Sequence, residues 1–136
     1  MIARLSEYIS ACPYFEGRGI KLNYLDKEIG SVSLEMTKNK KVLRNYADGG
    51  SLEQNVAVLA LREGFGIGDN ENQSTFRKCK QIEKWIDEEL FEIKETGPCD
   101  DGVIVFVKVL KPFEIVRTEG NFARYEAEIE VVCLKR

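Results

Sequence analysis

The stretch Phe122-Ala123-Arg124-Tyr125-Glu126-Ala127-Glu128-Ile129-Glu130-Val131-Val132-Cys133-Leu134 alternates more sharply than any other part of this chain. Ala123, Tyr125, Ala127, Ile129, Val131 and Cys133 fall on one side, and Phe122, Arg124, Glu126, Glu128 and Glu130 on the other. Successive side chains of a strand point to opposite faces, so this period of two predicts a strand with one face in a core. A second such segment lies at 31–37, where Val32, Leu34 and Met36 alternate with Ser31, Ser33, Glu35 and Thr37. The apolar faces of such strands need a cover.

Two amphipathic helices supply it. Over 75–91, Phe76, Cys79, Ile82, Trp85, Ile86 and Leu90 recur at helical spacing, with Ser74 placed as an N-cap. Over 2–12, Ile2, Leu5, Ile9 and Cys12 form a shorter stripe that Pro13 stops. The segment 20–25 reads as a strand, joined to 31–37 by a short connection that suggests a hairpin. Residues 52–62 are apolar on both sides at their centre, which suits a central strand, with a short helix as the competing reading. Val103–Leu110 is continuously apolar and rich in β-branched residues. Pro112 marks a break or an edge position, and 113–117 can continue the strand. Turns are expected at Gly17-Arg18-Gly19, Asp48-Gly49-Gly50 and Glu119-Gly120-Asn121, and loops at 38–46 and 64–73. Together these elements predict one α+β domain spanning 1–136, a mostly antiparallel sheet with two helices packed on one face.

The composition narrows the chemistry. A chain of 136 residues with 43% hydrophobic and 32% charged side chains can bury a core without metal or disulfide staples. It has no histidine, which removes Ser-His-Asp and Cys-His catalysis and histidine-ligated zinc. A net charge of −3 argues against a protein devoted to nucleic acid, which usually carries a basic excess. No apolar run reaches the ~20 residues of a membrane span. Glu7 interrupts the start where a signal peptide would be apolar, so a cytoplasmic protein is expected. Cys12, Cys79, Cys99 and Cys133 are widely spaced, contain no CxxC and read as reduced thiols, with Cys99 in a loop as the most exposed.

The local motifs carry weak chemical signals. Gly64-Phe65-Gly66-Ile67-Gly68 lacks the lysine and Ser/Thr of a phosphate loop and reads as a connection. Asp100, Asp101 and Glu95 lack the ligand spacing of a calcium loop. Glu126, Glu128 and Glu130 read as a solvated strand face or as a surface for a neighbouring subunit. Lys38, Lys40, Lys41 and Arg44 make a small basic patch that fits an acidic partner face. Trp85 is expected in the core, and Tyr46 and Phe65 beside turns as exposed contact residues. No catalytic, cofactor or metal residues are assigned.

Several segments in order carry a resemblance. They are Tyr46-Ala47-Asp48-Gly49-Gly50-Ser51, then Leu61-Arg62-Glu63-Gly64-Phe65-Gly66, then Lys84-Trp85-Ile86-Asp87-Glu88-Glu89, and finally Gly120 to Val131. Over roughly 44–134 the chain resembles the small minor capsid, or tail terminator-like, proteins of tailed phages and prophages of Gram-positive bacteria. It departs from them in the 64–68 loop and in 97–102. The resemblance implies a non-enzymatic α+β protein assembling into a ring, expected to be hexameric. Such a ring would end the tail tube in the virion neck, assemble in the bacterial host cytoplasm, and meet the major tail tube protein and head-completion or connector proteins. It implies no membrane and no sequence-specific nucleic acid, only DNA passing through the lumen. By position it matches the 48–50 turn, Arg62, Trp85, Arg124 and Tyr125, with Arg62 and Arg124 serving either fold or interface. The expected interface residues are Lys38, Lys40, Lys41, Arg44, Tyr46, Arg62, Phe65, Arg124, Glu126, Glu128 and Glu130. Charge reversal at Lys40 and Lys41 is expected to weaken the ring. A head–tail connector is the nearest alternative. A small enzyme or ligand-binding domain using Cys99 or the 64–70 loop is the more distant one.

Overall fold

The computed structural model describes residues 2–15, 17–25, 27–66, 69–90 and 102–135. Helix α1 (Ile2–Ser10) and a 3-10 turn (Pro13–Phe15) lead into β1 (Ile20–Leu22), β2 (Val32–Asn45), β3 (Ser51–Gly64), helix α2 (Asp69–Glu89), β4 (Val103–Glu119) and β5 (Phe122–Lys135). The strands form one sheet in the order β1-β2-β3-β5-β4. Every neighbouring pair is antiparallel except β1 with β2. This is the α+β class expected from the sequence.

The register explains the core. Val32, Leu61, Tyr125 and Ile115 lie in one row across β2, β3, β5 and β4, followed by Leu34, Leu59 and Ala127, then by Met36, Ala57, Ile129 and Val109. These residues share one face of the pleated sheet. Leu5 and Ile9 of α1 and Cys79, Ile82, Ile86 and Leu90 of α2 pack into the same cluster. Both helices therefore supply one core, and among the described residues the other face of the sheet carries no helix.

Two expectations about the strands need correction. The 20–25 and 31–37 segments do not form a hairpin: β1 is three residues long and runs parallel to β2, with Ile20 opposite Val32. So short a strand lets the 23–31 connection double back to its start. That return is pinned by Gly30 N–H donating to the Arg62 carbonyl and Arg62 N–H donating to Ser31. Residues 38–45 are not a loop either. They continue β2 and pair with β3, with bulges between Met36 and Lys40 and between Val42 and Arg44. The bulges hide the period of two that would have disclosed the strand. The edge position is the alternative that holds for Pro112: β4 runs through it to Glu119 as an edge strand, where a missing N–H costs no ladder bond.

Helix α2 begins at Asp69, so 69–73 is helix and Ser74 lies inside it, not at its cap. Its buried line is Thr75, Cys79, Ile82, Ile86 and Leu90. Thr75 holds the place expected for Phe76, and one residue is about 100° around a helix. Phe76 consequently points outward and is 63% exposed. Trp85 packs partly buried against the core. The 46–50 turn forms as expected: Gly50 N–H donates to the Asp48 carboxylate at 3.0 Å, and Tyr46 N–H to the Gly50 carbonyl at 2.8 Å.

Candidate subunit interface

The two edges of the sheet are guarded in different ways. Along β4, Val107 N–H donates to the Leu90 carbonyl at 2.9 Å and Val109 N–H to the Asp87 carboxylate at 2.8 Å. The end of α2 thus occupies the outward donors of this edge. Pro112 and four irregularities in the β4–β5 register break the rest. Along β2, the Asn23 side chain accepts from Met36 N–H at 3.3 Å. Beyond it stand the two bulges and the cations Lys38, Lys40, Lys41 and Arg44, all exposed. Bulges, lysines, proline and covering elements are how sheets avoid pairing edge to edge. Edges guarded in this way disfavour association by extension of the sheet.

The basic residues of β2 have different employments. Lys40 lies 3.3 Å from Glu53, which Lys135 approaches at 3.1 Å from the other side. Glu53 is only 7% exposed. Burial alone would raise its carboxyl, but the ammonium groups of Lys135 and Lys40 outweigh it and hold the group below its ordinary value of 4.5. The same contact raises Lys135. Lys40 is thus a fold residue, and reversing it would damage Glu53 before it tested any interface. Lys38, Lys41 and Arg44 make no ion pair among the described residues.

This cluster makes a pH prediction. A carboxyl whose folded value is depressed contributes stability that is full above its unfolded value and disappears as pH falls through the folded one. Glu53→Gln is expected to cost about 1–2 kcal/mol near neutral pH. The gap to the parent should start to close near pH 4.5 and vanish at lower pH. Urea unfolding across that range checks it; a gap independent of pH would count against the ion pairs.

On the helix-free face, Arg62, Arg124 and Arg117 sit side by side across β3, β5 and β4. Like charges so placed repel unless compensated. Arg124 donates to Glu126 at 2.7 Å and to Glu35 at 2.9 Å. Arg62 lies 3.7 Å from Glu119, with its guanidinium 4.9 Å from the centre of the Phe122 ring, and Arg117 pairs with Glu119. Arg62 and Arg124 are therefore committed to the fold. Glu126 shares that network, Glu128 lies 3.2 Å from Lys111, and Glu130 is 7% exposed opposite Lys108. β5 is an interior strand, so these glutamates do not guard an edge.

Phe65 is half-buried instead of exposed, and Tyr46 is 39% exposed. Phe65 N–H donates to the Asn121 carbonyl at 2.8 Å, and the Asn72 side chain both donates to and accepts from the backbone of Gly66, at 2.8 and 3.3 Å. That N–H is not free to cradle a phosphate. Cys12, Cys79 and Cys133 are buried and form no disulfide among the described residues. Burial, reinforced by Glu83 and Glu63, pushes Cys79 up to about 12. Ile67, Gly68, Glu95, Cys99, Asp100 and Asp101 lie outside the described residues. Among the described residues no cluster of His, Cys, Asp or Glu could hold a metal ion, and no helix is long and apolar enough to cross a membrane.

One apolar hollow has no counterpart among the expectations from the sequence. Phe65, Phe76, Cys79, Phe113, Ile115 and Tyr125 line a hollow of about 300 Å³ between α2 and the β4–β5 ribbon, with Lys80, Glu83 and Glu114 among its polar lining residues. Phe76 and Ile115 leave much of their surface in solvent, and a second group, Val42 and Leu43 on β2 and Tyr46 just past it, does so as well. The signal was present in Val42-Leu43, an apolar pair among cations. The chain matches no protein-family model and no curated protein.

Proposed function

We propose that this protein is a ring-forming structural component of a tailed phage or prophage virion, a tail terminator that closes the tail tube and joins it to the head. The observation that supports assembly is the presence of two unlike exposed apolar groups on separate edges of one sheet. Val42, Leu43 and Tyr46 lie on or just past β2, whereas Phe76 and Ile115 flank β4. Unlike surfaces that complement one another give head-to-tail contacts, and such contacts close into rings when the rotation permits. The order of motifs that resembles tail terminator-like proteins supports the virion role. This reading needs no catalytic group, cofactor or metal. Its partners are further copies of the chain, the major tail tube protein and head-completion or connector proteins, and its place is the host cytoplasm during assembly and then the virion neck.

Native mass spectrometry over a concentration series, with and without purified tail tubes, tests it. The expected species is a closed oligomer, six copies of 15.5 kDa or about 93 kDa, that caps tubes at one end. A chain that stays monomeric alone and leaves tubes uncapped overturns the reading. Binding to portal or adaptor proteins instead of tubes would favour a connector.

A further inference from the structure

We infer that the hollow beside Phe76 receives the Val42–Tyr46 segment of a second copy of this chain. The inference rests on the ring-forming reading and gives that contact its two halves.

The segment cannot reach the hollow of its own chain. β2 and β4 are separated by β3 and β5 in the sheet, three strand spacings of about 4.8 Å each. The hollow lies on the β4 side, walled by Phe113 and Ile115 of that strand and by Phe76 and Cys79 of α2. An occupant from the β2 edge must come from another molecule. The contact is therefore heterologous, and each copy offers one segment and one hollow.

Charge complementarity selects this occupant. Residues 37–46 carry four cations and no acid, and Lys38, Lys41 and Arg44 are without ion pairs among the described residues. The hollow carries the opposite need. Glu83 has a carboxylate oxygen that is buried and unbonded, its other oxygen lying 3.7 Å from Lys80. Glu114 has no ion pair among the described residues and sits directly across from Glu126. A buried carboxylate oxygen without a donor is costly. An entering segment that brings ammonium groups and the Tyr46 hydroxyl can supply one. Two β2 segments, by contrast, would repel each other, which disfavours a symmetric contact through this edge. The apolar match is equally direct: Val42 and Leu43 are 48% and 45% exposed on β2, and Phe76 and Ile115 are 63% and 46% exposed at the hollow. At about 300 Å³ the hollow is at the lower limit of small-molecule pockets and suits a few side chains.

The test uses two variants of the full chain, Leu43→Asp and Phe76→Asp. Both positions are exposed, so folding should survive, as checked by circular dichroism and the thermal midpoint. Each variant alone is expected to dissociate about 100-fold or more easily than the parent, the scale of losing a central anchor. An equimolar mixture should then form a dimer of one copy of each, and nothing larger. The Leu43→Asp copy still offers its hollow and the Phe76→Asp copy still offers its segment, so one intact contact remains per pair. An assembly that persists in either variant overturns the inference and leaves the ring reading standing. Variants that are monomeric and stay so when mixed also overturn it, since a segment–hollow contact must be rescued by mixing. A parent chain monomeric at every concentration overturns it too, and the ring reading then turns on tube capping alone.

Discussion

Leu59→Ala is expected to lower the stability of this protein by about 3 kcal/mol, whereas Leu43→Ala leaves it within about 0.5 kcal/mol of the parent. Both are leucines in long strands. Leu59 has no exposed surface and lies at the middle of β3, between Leu34 and Ala127 in its row. Truncating it removes buried methyl groups and leaves a cavity that the methyl side chain of Ala127 cannot fill. Leu43 keeps 45% of its surface in solvent, so truncation removes far less buried surface there and leaves no enclosed cavity. Against a total of about 5–15 kcal/mol for a domain, the first loss is severe and the second slight. Urea unfolding with unchanged slope measures both. A loss below about 1 kcal/mol at Leu59 would mean that the helices do not press on the centre of the sheet. If Leu43→Ala weakens self-association while sparing stability, the leucine is there for contact and not for folding.

The contrast between these leucines also shows what the sequence disclosed. The fold class, the two helices, the turn at 48–50 and the strand 122–134 were legible because each rests on a local period or a local turn preference. β5 pairs with β3 without a break from Phe122 to Lys135, and an unbroken register leaves the alternation intact. β2 and β4 are interrupted by bulges, and every one except that between Met36 and Lys40, which inserts two residues, shifts the phase of the side chains by one. The strand through 38–45 was therefore read as a loop. The return that leads from β1 into β2 is pinned to β3 by hydrogen bonds from Gly30 to Arg62 and from Arg62 to Ser31, about thirty residues apart, which no local window contains. Phe76 fits a helical stripe in the sequence as well as Thr75 does; which of them faces the sheet is decided by packing. The interface residues divide along the same line. Exposed cations are visible as a composition, but the commitment of Lys40 to Glu53, and of Arg62 and Arg124 to carboxylates on other strands, appears only when the strands are in register.

Gly102→Ala is expected to cost more than about 2 kcal/mol, Gly49→Ala about 1–2 kcal/mol, and Gly19→Ala nothing. The ranking follows from two separable effects. Gly102 and Gly49 have φ of 96° and 91°, a region that side chains rarely adopt, whereas Gly19 does not lie in that region. A side chain at Gly49 or Gly19 would meet open space, but at Gly102 its Cβ would press into the carbonyl oxygen of Leu134. That carbonyl cannot retreat easily. Leu134 is held in register by Leu52 of β3 on one side and by Val103 of β4 on the other. Gly49→Ala therefore carries strain alone, Gly102→Ala carries strain and a clash against fixed backbone, and Gly19→Ala carries neither and can gain slightly from a stiffer unfolded chain. Thermal midpoints resolve the series, since about 1 kcal/mol moves a chain of this size by about 4 °C. Equal losses at Gly49 and Gly102 would show that the β5 backbone yields at Leu134 and that the start of β4 is not fixed against it. The expected order instead fixes that start, and with it the strand whose Phe113 and Ile115 wall the hollow beside Phe76.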